Sequence, residues 1–181
     1  MRVRRVAVEY ASHCAHVEKL EGELADLLGG LSPRRASVPM YSTLTGELLD
    51  GSELDGGYWY RNLRGTVLFE RAVNVALADG YRLFVESSPH PVLAVGLSET
   101  FEAFDVSEGG FEPAAVGTLR RDEGGPGRVF TSLAEAWVKG ADVDWSKAFE
   151  GTGARRVDLP TYAFQHQRFW PRPKAVEAAA V

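Results

Sequence analysis

Four histidines and a single cysteine carry most of the chemistry available to this 181-residue chain. His13 stands in Tyr10-Ala11-Ser12-His13-Cys14, where an alternating apolar run gives way to a helical one. Strand-to-helix turns on the carboxyl side of parallel strands are where α/β proteins place their sites. A histidine there suits general acid–base work, because its ordinary titration range brackets neutrality. Position alone fits equally well a polar residue that merely opens a helix. His16, three residues on, could share its face, but no Asp or Glu ligand pattern completes a site, so no metal is expected. His90, between two prolines, reads as a loop or cap residue, and His166, in an aromatic stretch, as an interface residue.

A nucleophile to match His13 is harder to find. Cys14 is adjacent, yet neighbouring residues at a helix start point about 100° apart, outside hydrogen-bonding reach, so a small buried role suits it better. A serine elbow needs Gly-x-Ser-x-Gly at a sharp turn, and Gly96-Leu97-Ser98-Glu99 lies in a helical pattern without the second glycine. Gly124-Gly125-Pro126-Gly127 lacks the Lys and Ser or Thr of a phosphate loop. Taken alone, the chain holds a base without its nucleophile. A self-contained hydrolase using Cys14 or Ser12 with His13 remains a rival reading, tested by Cys14→Ala and Ser12→Ala.

The elements that must position these residues follow from periodicity. Val6 to Tyr10 has strand alternation beginning almost at Met1, as though its sheet partners lay upstream. Val17, Leu20, Leu24, Leu27 and Leu28 then make one helical face that stops at Gly29-Gly30, with Ser12 as the expected N-cap. Val38 to Thr43 reads as a strand, Tyr58 to Leu63 as a short helix or turn, and Val67 to Asp79 as a helix closed by Gly80. Tyr81 to Glu86 reads as a strand, Val92 to Phe104 as a helix with Pro91 in its first turn, and Ala114 to Thr118 as a strand. This alternation predicts an α/β fold with parallel strands. Beyond a polar loop, Val129 to Trp137 is amphipathic. From Val143 to Trp170 large aromatics recur without a period, as in an arm laid along another surface. The residues from Pro171 onward read as linker.

Composition narrows the function classes. With 45% hydrophobic and 25% charged residues the chain is globular rather than disordered. It has no apolar run of about 18 residues for a membrane span, and its basic start lacks the apolar stretch of a signal peptide. A net charge of -5 with scattered arginine pairs argues against a nucleic-acid binder. One cysteine forms no internal disulfide, which fits a reducing, cytoplasmic setting.

Four segments then converge: Tyr10-Ala11-Ser12-His13, Tyr58-Trp59-Tyr60-Arg61-Asn62-Leu63-Arg64, Phe84 to Leu93 with its Ser87-Ser88-Pro89-His90-Pro91, and Leu159 to Trp170. In this order they resemble the C-terminal part of an acyltransferase domain of a type I modular polyketide synthase with its post-acyltransferase linker. The resemblance reaches to about Trp170. It implies a large α/β-hydrolase-like subdomain carrying an inserted ferredoxin-like one. Residues 1–9 would be the last strand of the small subdomain, 10–118 the closing part of the large one, 119–170 the linker, and 171–181 an interdomain tail.

The resemblance also assigns roles. His13 would be the base of a Ser-His dyad whose serine, in a Gly-His-Ser-x-Gly elbow, stands upstream of anything in this chain, as does the arginine that binds the extender carboxylate. The ring's other nitrogen would be oriented by a backbone carbonyl at the position of Asn62. Tyr10, Ala11 and Ser12 resemble the tetrad form associated with methylmalonyl-CoA, small Ser12 leaving room for an α-methyl where malonyl-selective relatives carry Phe. One methyl is worth about 1–3 kcal/mol, so malonyl selectivity stays open as an alternative. No cofactor is implied: acyl-CoA is the substrate and the phosphopantetheine of an acyl carrier protein the acceptor. The implied partners are the upstream acyltransferase half, the ketosynthase and the carrier protein, with Tyr162, Phe164, Phe169 and Trp170 as linker docking anchors. The chain by itself is expected to be inactive. The rival of another class is a non-catalytic docking piece complemented by an upstream chain.

Overall fold

The computed structural model describes residues 12–105, 111–167 and 169–170. The strand read at Val6 to Tyr10 and the tail from Pro171 lie outside these residues. The described residues fall into two units, the first ending at Val143 and the second beginning at Asp144.

In the first unit a 3-10 turn, Ala15–Leu20, runs into helix α1, Glu21–Leu28, which Gly29 closes. The expected N-cap at Ser12 is corrected: the cap position is Cys14, and no side chain caps it. The turn is tied down instead by Val17, buried at 2% exposure, while Leu20 and Leu27 of the same apolar face are exposed.

The chain then makes a hairpin, β1 (Met40–Ser42) paired antiparallel with β2 (Glu47–Leu49). Buried Ser42 organises the connection, its Oγ accepting from the amides of Leu44 and Thr45. Gly46 closes it at φ 68°, where a Cβ would also stand 2.5 Å from Arg71 Cδ. The expected parallel strands are therefore corrected in part: among the described residues only β3 (Leu83–Glu86) and β4 (Ala114–Gly117) pair in parallel.

In chain order α2 (Gly56–Arg64) and α3 (Phe69–Ala78) separate the hairpin from β3, and α4 (Ala94–Ala103) forms the crossover from β3 to β4. The core forms where α3 and α4 meet the sheet: Val73, Leu77 and Leu97, flanked by Phe69, Phe84, Phe101 and Phe104. Burying a side chain such as fully enclosed Leu77 stabilises the fold by about 1.5–3 kcal/mol. Arg82 holds the end of α3, its guanidinium donating to the Leu77 carbonyl at 2.6 Å and stacking 5.3 Å from the Phe104 ring.

Helix α5, Pro126–Val138, begins with Pro126 in its first turn, as a fixed φ favours, and packs on β4. Buried Ser132 fixes it there by donating to the Thr118 carbonyl at 2.8 Å. The first unit continues through α5. The second unit holds a short 3-10 turn, Trp145–Phe149, and extended chain on which Tyr162, Phe164, Phe169 and Trp170 are all exposed. Tyr162 and Phe164 meet edge to face, ring centroids 5.0 Å apart.

Candidate active site

The site is built on the C-terminal end of α2. Asp55 caps the start of that helix by accepting from the Tyr58 amide at 2.7 Å. Tyr58, 2% exposed, bolts the helix to the hairpin through a 2.7 Å bond between its hydroxyl and Ser42 Oγ. Trp59 donates its indole N–H to the Leu54 carbonyl. The helix is therefore held at its start and its middle, and it ends at Arg64. Gly65 turns extended (φ −78°, ψ 168°) with its N–H on the Arg61 carbonyl. A helix leaves its last carbonyls without intrahelical partners.

His13 takes two of the carbonyls at this end. Its backbone N–H donates to Leu63 O at 2.8 Å, and its ring Nδ1 lies 2.8 Å from Gly65 O. A carbonyl only accepts, so Nδ1 carries the hydrogen and, in the neutral ring, the lone pair is on Nε2. The side chain is exposed, so that nitrogen is accessible. His13 also has φ 57°, a left-handed backbone that histidine visits more readily than most residues but that still costs about 1–2 kcal/mol. The strained backbone and the double attachment together aim one imidazole nitrogen outward with a defined tautomer.

The carbonyl that meets the His13 ring is not the one expected at the position of Asn62. Asn62 lies within α2, half-buried, and the His13 ring meets the carbonyl of Gly65, three residues later. Gly65 carries no side-chain chemistry and sits 52 residues from His13, so no local pattern marked it. Ser12, half-buried, adjoins His13; Tyr10 and Ala11 lie outside the described residues. Cys14 is a half-buried free thiol. Among the hydrogen bonds of the described residues, neither Cys14 nor Ser12 bonds the His13 ring.

The other histidines take other places. His16 is exposed, and the described residues contain no group of three His, Cys, Asp or Glu suited to a metal. His90 is an exposed loop residue whose Nδ1 accepts from the Arg121 amide at 3.3 Å. His166 is exposed in the second unit.

One functional group of the fold escaped sequence reasoning. Glu86, at the end of β3, accepts from the Val92 amide and the Ser88 hydroxyl on Oε1 and from the Leu93 amide on Oε2. It therefore caps the approach to α4 from six and seven residues away, the place where Pro91 alone was expected to set the helix start. Partial burial pushes its carboxyl up. The two amides, the Ser88 hydroxyl and the charge of His90 outweigh this and hold it below the usual carboxylate range.

Known proteins share this arrangement of elements. The sequence profile described as "Acyl transferase domain" matches residues 1–143, the whole of the first unit. Over 171 residues the chain is 57% identical to polyketide synthase GfsB of Streptomyces halstedii, and over 170 residues 52% identical to GfsE of the same organism. Each match takes in 94% of this chain but only 3% and 4% of those long proteins. Among solved structures, the acyltransferase domain from module 8 of the salinomycin polyketide synthase superposes with a TM-score of 0.75 at 52% identity, covering 80% of this chain and 33% of that one. The chain thus spans a third of that solved domain and a few per cent of its curated relatives. An acyl-transferase profile over the whole first unit, and relatives half identical along nearly the entire length, establish that this chain belongs to the acyl transferase domain family, among the acyltransferase regions of modular type I polyketide synthases.

Proposed function

We propose that His13 is the general base of a Ser-His dyad that moves an extender acyl group from CoA to the phosphopantetheine thiol of an acyl carrier protein. The serine would come from sequence outside these 181 residues. In the first half-reaction Nε2 takes the serine proton as Oγ attacks the thioester carbonyl. The C–S bond breaks, and the ring returns the proton to the CoA sulfur. In the second, Nε2 takes the proton of the phosphopantetheine thiol as its sulfur attacks the acyl-serine ester. The C–O bond breaks and the proton returns to Oγ. The observation that carries this reading is the 2.8 Å contact of Nδ1 with Gly65 O, which leaves Nε2 as the basic, outward-facing nitrogen.

The extender under this reading is methylmalonyl, because Ser12 beside the base is small and Tyr10-Ala11-Ser12-His13 has the corresponding form. The partners are the upstream acyltransferase half, the ketosynthase and the carrier protein, in the cytoplasm. The exposed Tyr162, Phe164, Phe169 and Trp170 support an aromatic arm that docks on the ketosynthase side of the synthase. Replacing Phe169 and Trp170 by Ala should release the chain from a ketosynthase with which the wild type co-purifies; unchanged co-purification would remove the arm from the interface.

The catalytic reading is tested by supplying the serine-bearing upstream segment as a separate chain. The mixture should load a carrier protein from methylmalonyl-CoA, and His13→Ala should abolish the loading. Equal loading by the His13→Ala mixture would end the assignment.

A further inference from the structure

We infer that Glu18 and Arg64 are positioning residues for His13: their ion pair clamps the turn that carries the histidine onto the helix end that orients it. The catalytic part of this rests on His13 being the base, whereas the structural part does not. Arg64 lies in the chain between the two residues whose carbonyls His13 uses, Leu63 and Gly65. Its Nε and one terminal nitrogen both donate to Glu18 Oε1, at 2.9 and 2.6 Å. Glu18 belongs to the 3-10 turn that begins two residues after His13. The ion pair, the amide bond to Leu63 and the ring bond to Gly65 therefore connect the same two short segments at three points.

Three features make the third point matter. The 3-10 turn has no side-chain cap at its start, and its first residues are held locally by a backbone bond, Val17 N–H to Cys14 O at 3.2 Å. His13 holds an unfavourable left-handed backbone that must be maintained by its surroundings. The only buried side chain of the turn is Val17, which anchors it without setting its rotation about that contact. Glu18 and Arg64 are respectively 55% and 36% exposed, so the pair adds little to global stability and its effect falls on local geometry.

The test reads the tautomer directly. Ring-nitrogen NMR of the 181-residue chain, with His13 assigned by loss of its signals in His13→Gln, should show Nδ1 protonated and Nε2 bare in the wild type. In Glu18→Gln and Arg64→Met the ring shifts should move toward a mixture with the Nε2–H form that free imidazole favours, while amide spectra elsewhere stay fixed. The exchanged pair E18R/R64E should restore the wild-type shifts, and Arg64→Lys should lie between. In the complemented transfer reaction each single variant should lose about fivefold in kcat with KM unchanged. Unchanged ring shifts in both single variants, or an exchanged pair that restores nothing, would overturn the clamp. So would global unfolding of Glu18→Gln, because the pair would then hold the fold rather than the ring. Failure of acyl transfer with the tautomer intact would instead refute the dyad and leave the clamp standing.

Discussion

Glu86 offers a perturbation whose size follows from its contacts. Glu86→Gln keeps one carbonyl oxygen, which can still serve the Val92 amide and the Ser88 hydroxyl in the place of Oε1. The new NH2 group then faces the Leu93 amide, a donor against a donor, where Oε2 had accepted at 3.0 Å. Bonds to a charged acceptor contribute about 1.5–3 kcal/mol and neutral ones about 0.5–1.5, and a carboxylate near a helix start adds about 0.3–1. For a half-buried group the lower ends apply, so the variant should lose about 2 kcal/mol at neutral pH. The pH dependence has a definite sign. The folded carboxyl titrates below its ordinary range, so its contribution is complete above the unfolded value, about 4.3, and is lost as pH falls through the folded value. The two proteins should therefore converge in acid. Urea unfolding followed by far-ultraviolet circular dichroism, at neutral pH and near pH 3, measures both. Equal stability at neutral pH, or an undiminished gap in acid, would refute the capping role.

Two further outcomes follow from side chains around the site and the hairpin. Burial first, then the hydrogen bond and charge of Asp79, push the Tyr41 phenol up to about 12. Asp79→Asn should bring its ionisation down toward the ordinary value near 10, read from tyrosinate absorbance as the difference from Tyr41→Phe; an unmoved midpoint would exclude Asp79 as a cause. Ser12→Phe, assayed with the serine-bearing segment, should lower transfer of methylmalonyl relative to malonyl by about 10- to 100-fold, the worth of one methyl against a filled pocket. An unchanged ratio would remove Ser12 from the specificity determinants.

Much of the fold was legible because its signals are local. The helices at Val67 to Asp79 and Val129 to Trp137 appear where the apolar period placed them, with boundaries shifted by a few residues, and Tyr58 to Leu63, expected as a short helix or turn, lies within a helix. What failed was non-local. Glu47–Leu49 is three residues long and too short for alternation to register, so the hairpin was read as a lone strand in a parallel layer. The face of Leu20 and Leu27 is amphipathic in sequence, but periodicity does not say what covers a face, and here both leucines are exposed. His13 is proposed as the base from the change of period around it and from resemblance. Its orienting carbonyl was not legible, because a backbone acceptor 52 residues away leaves no mark on residue type. Glu86 was missed for a related reason: it caps a helix from the end of the preceding strand, beyond the three-residue spacing of local capping signals.

Whether His13 serves as the base is tested most directly by the first half-reaction alone. Intact-mass analysis would follow incubation of methylmalonyl-CoA with this chain, with the serine-bearing segment, and with both together. One acyl adduct is expected, on the partner's serine, only in the mixture, and it should disappear with His13→Ala. An adduct on this chain by itself, or one on the partner that forms equally well without His13, would contradict that role.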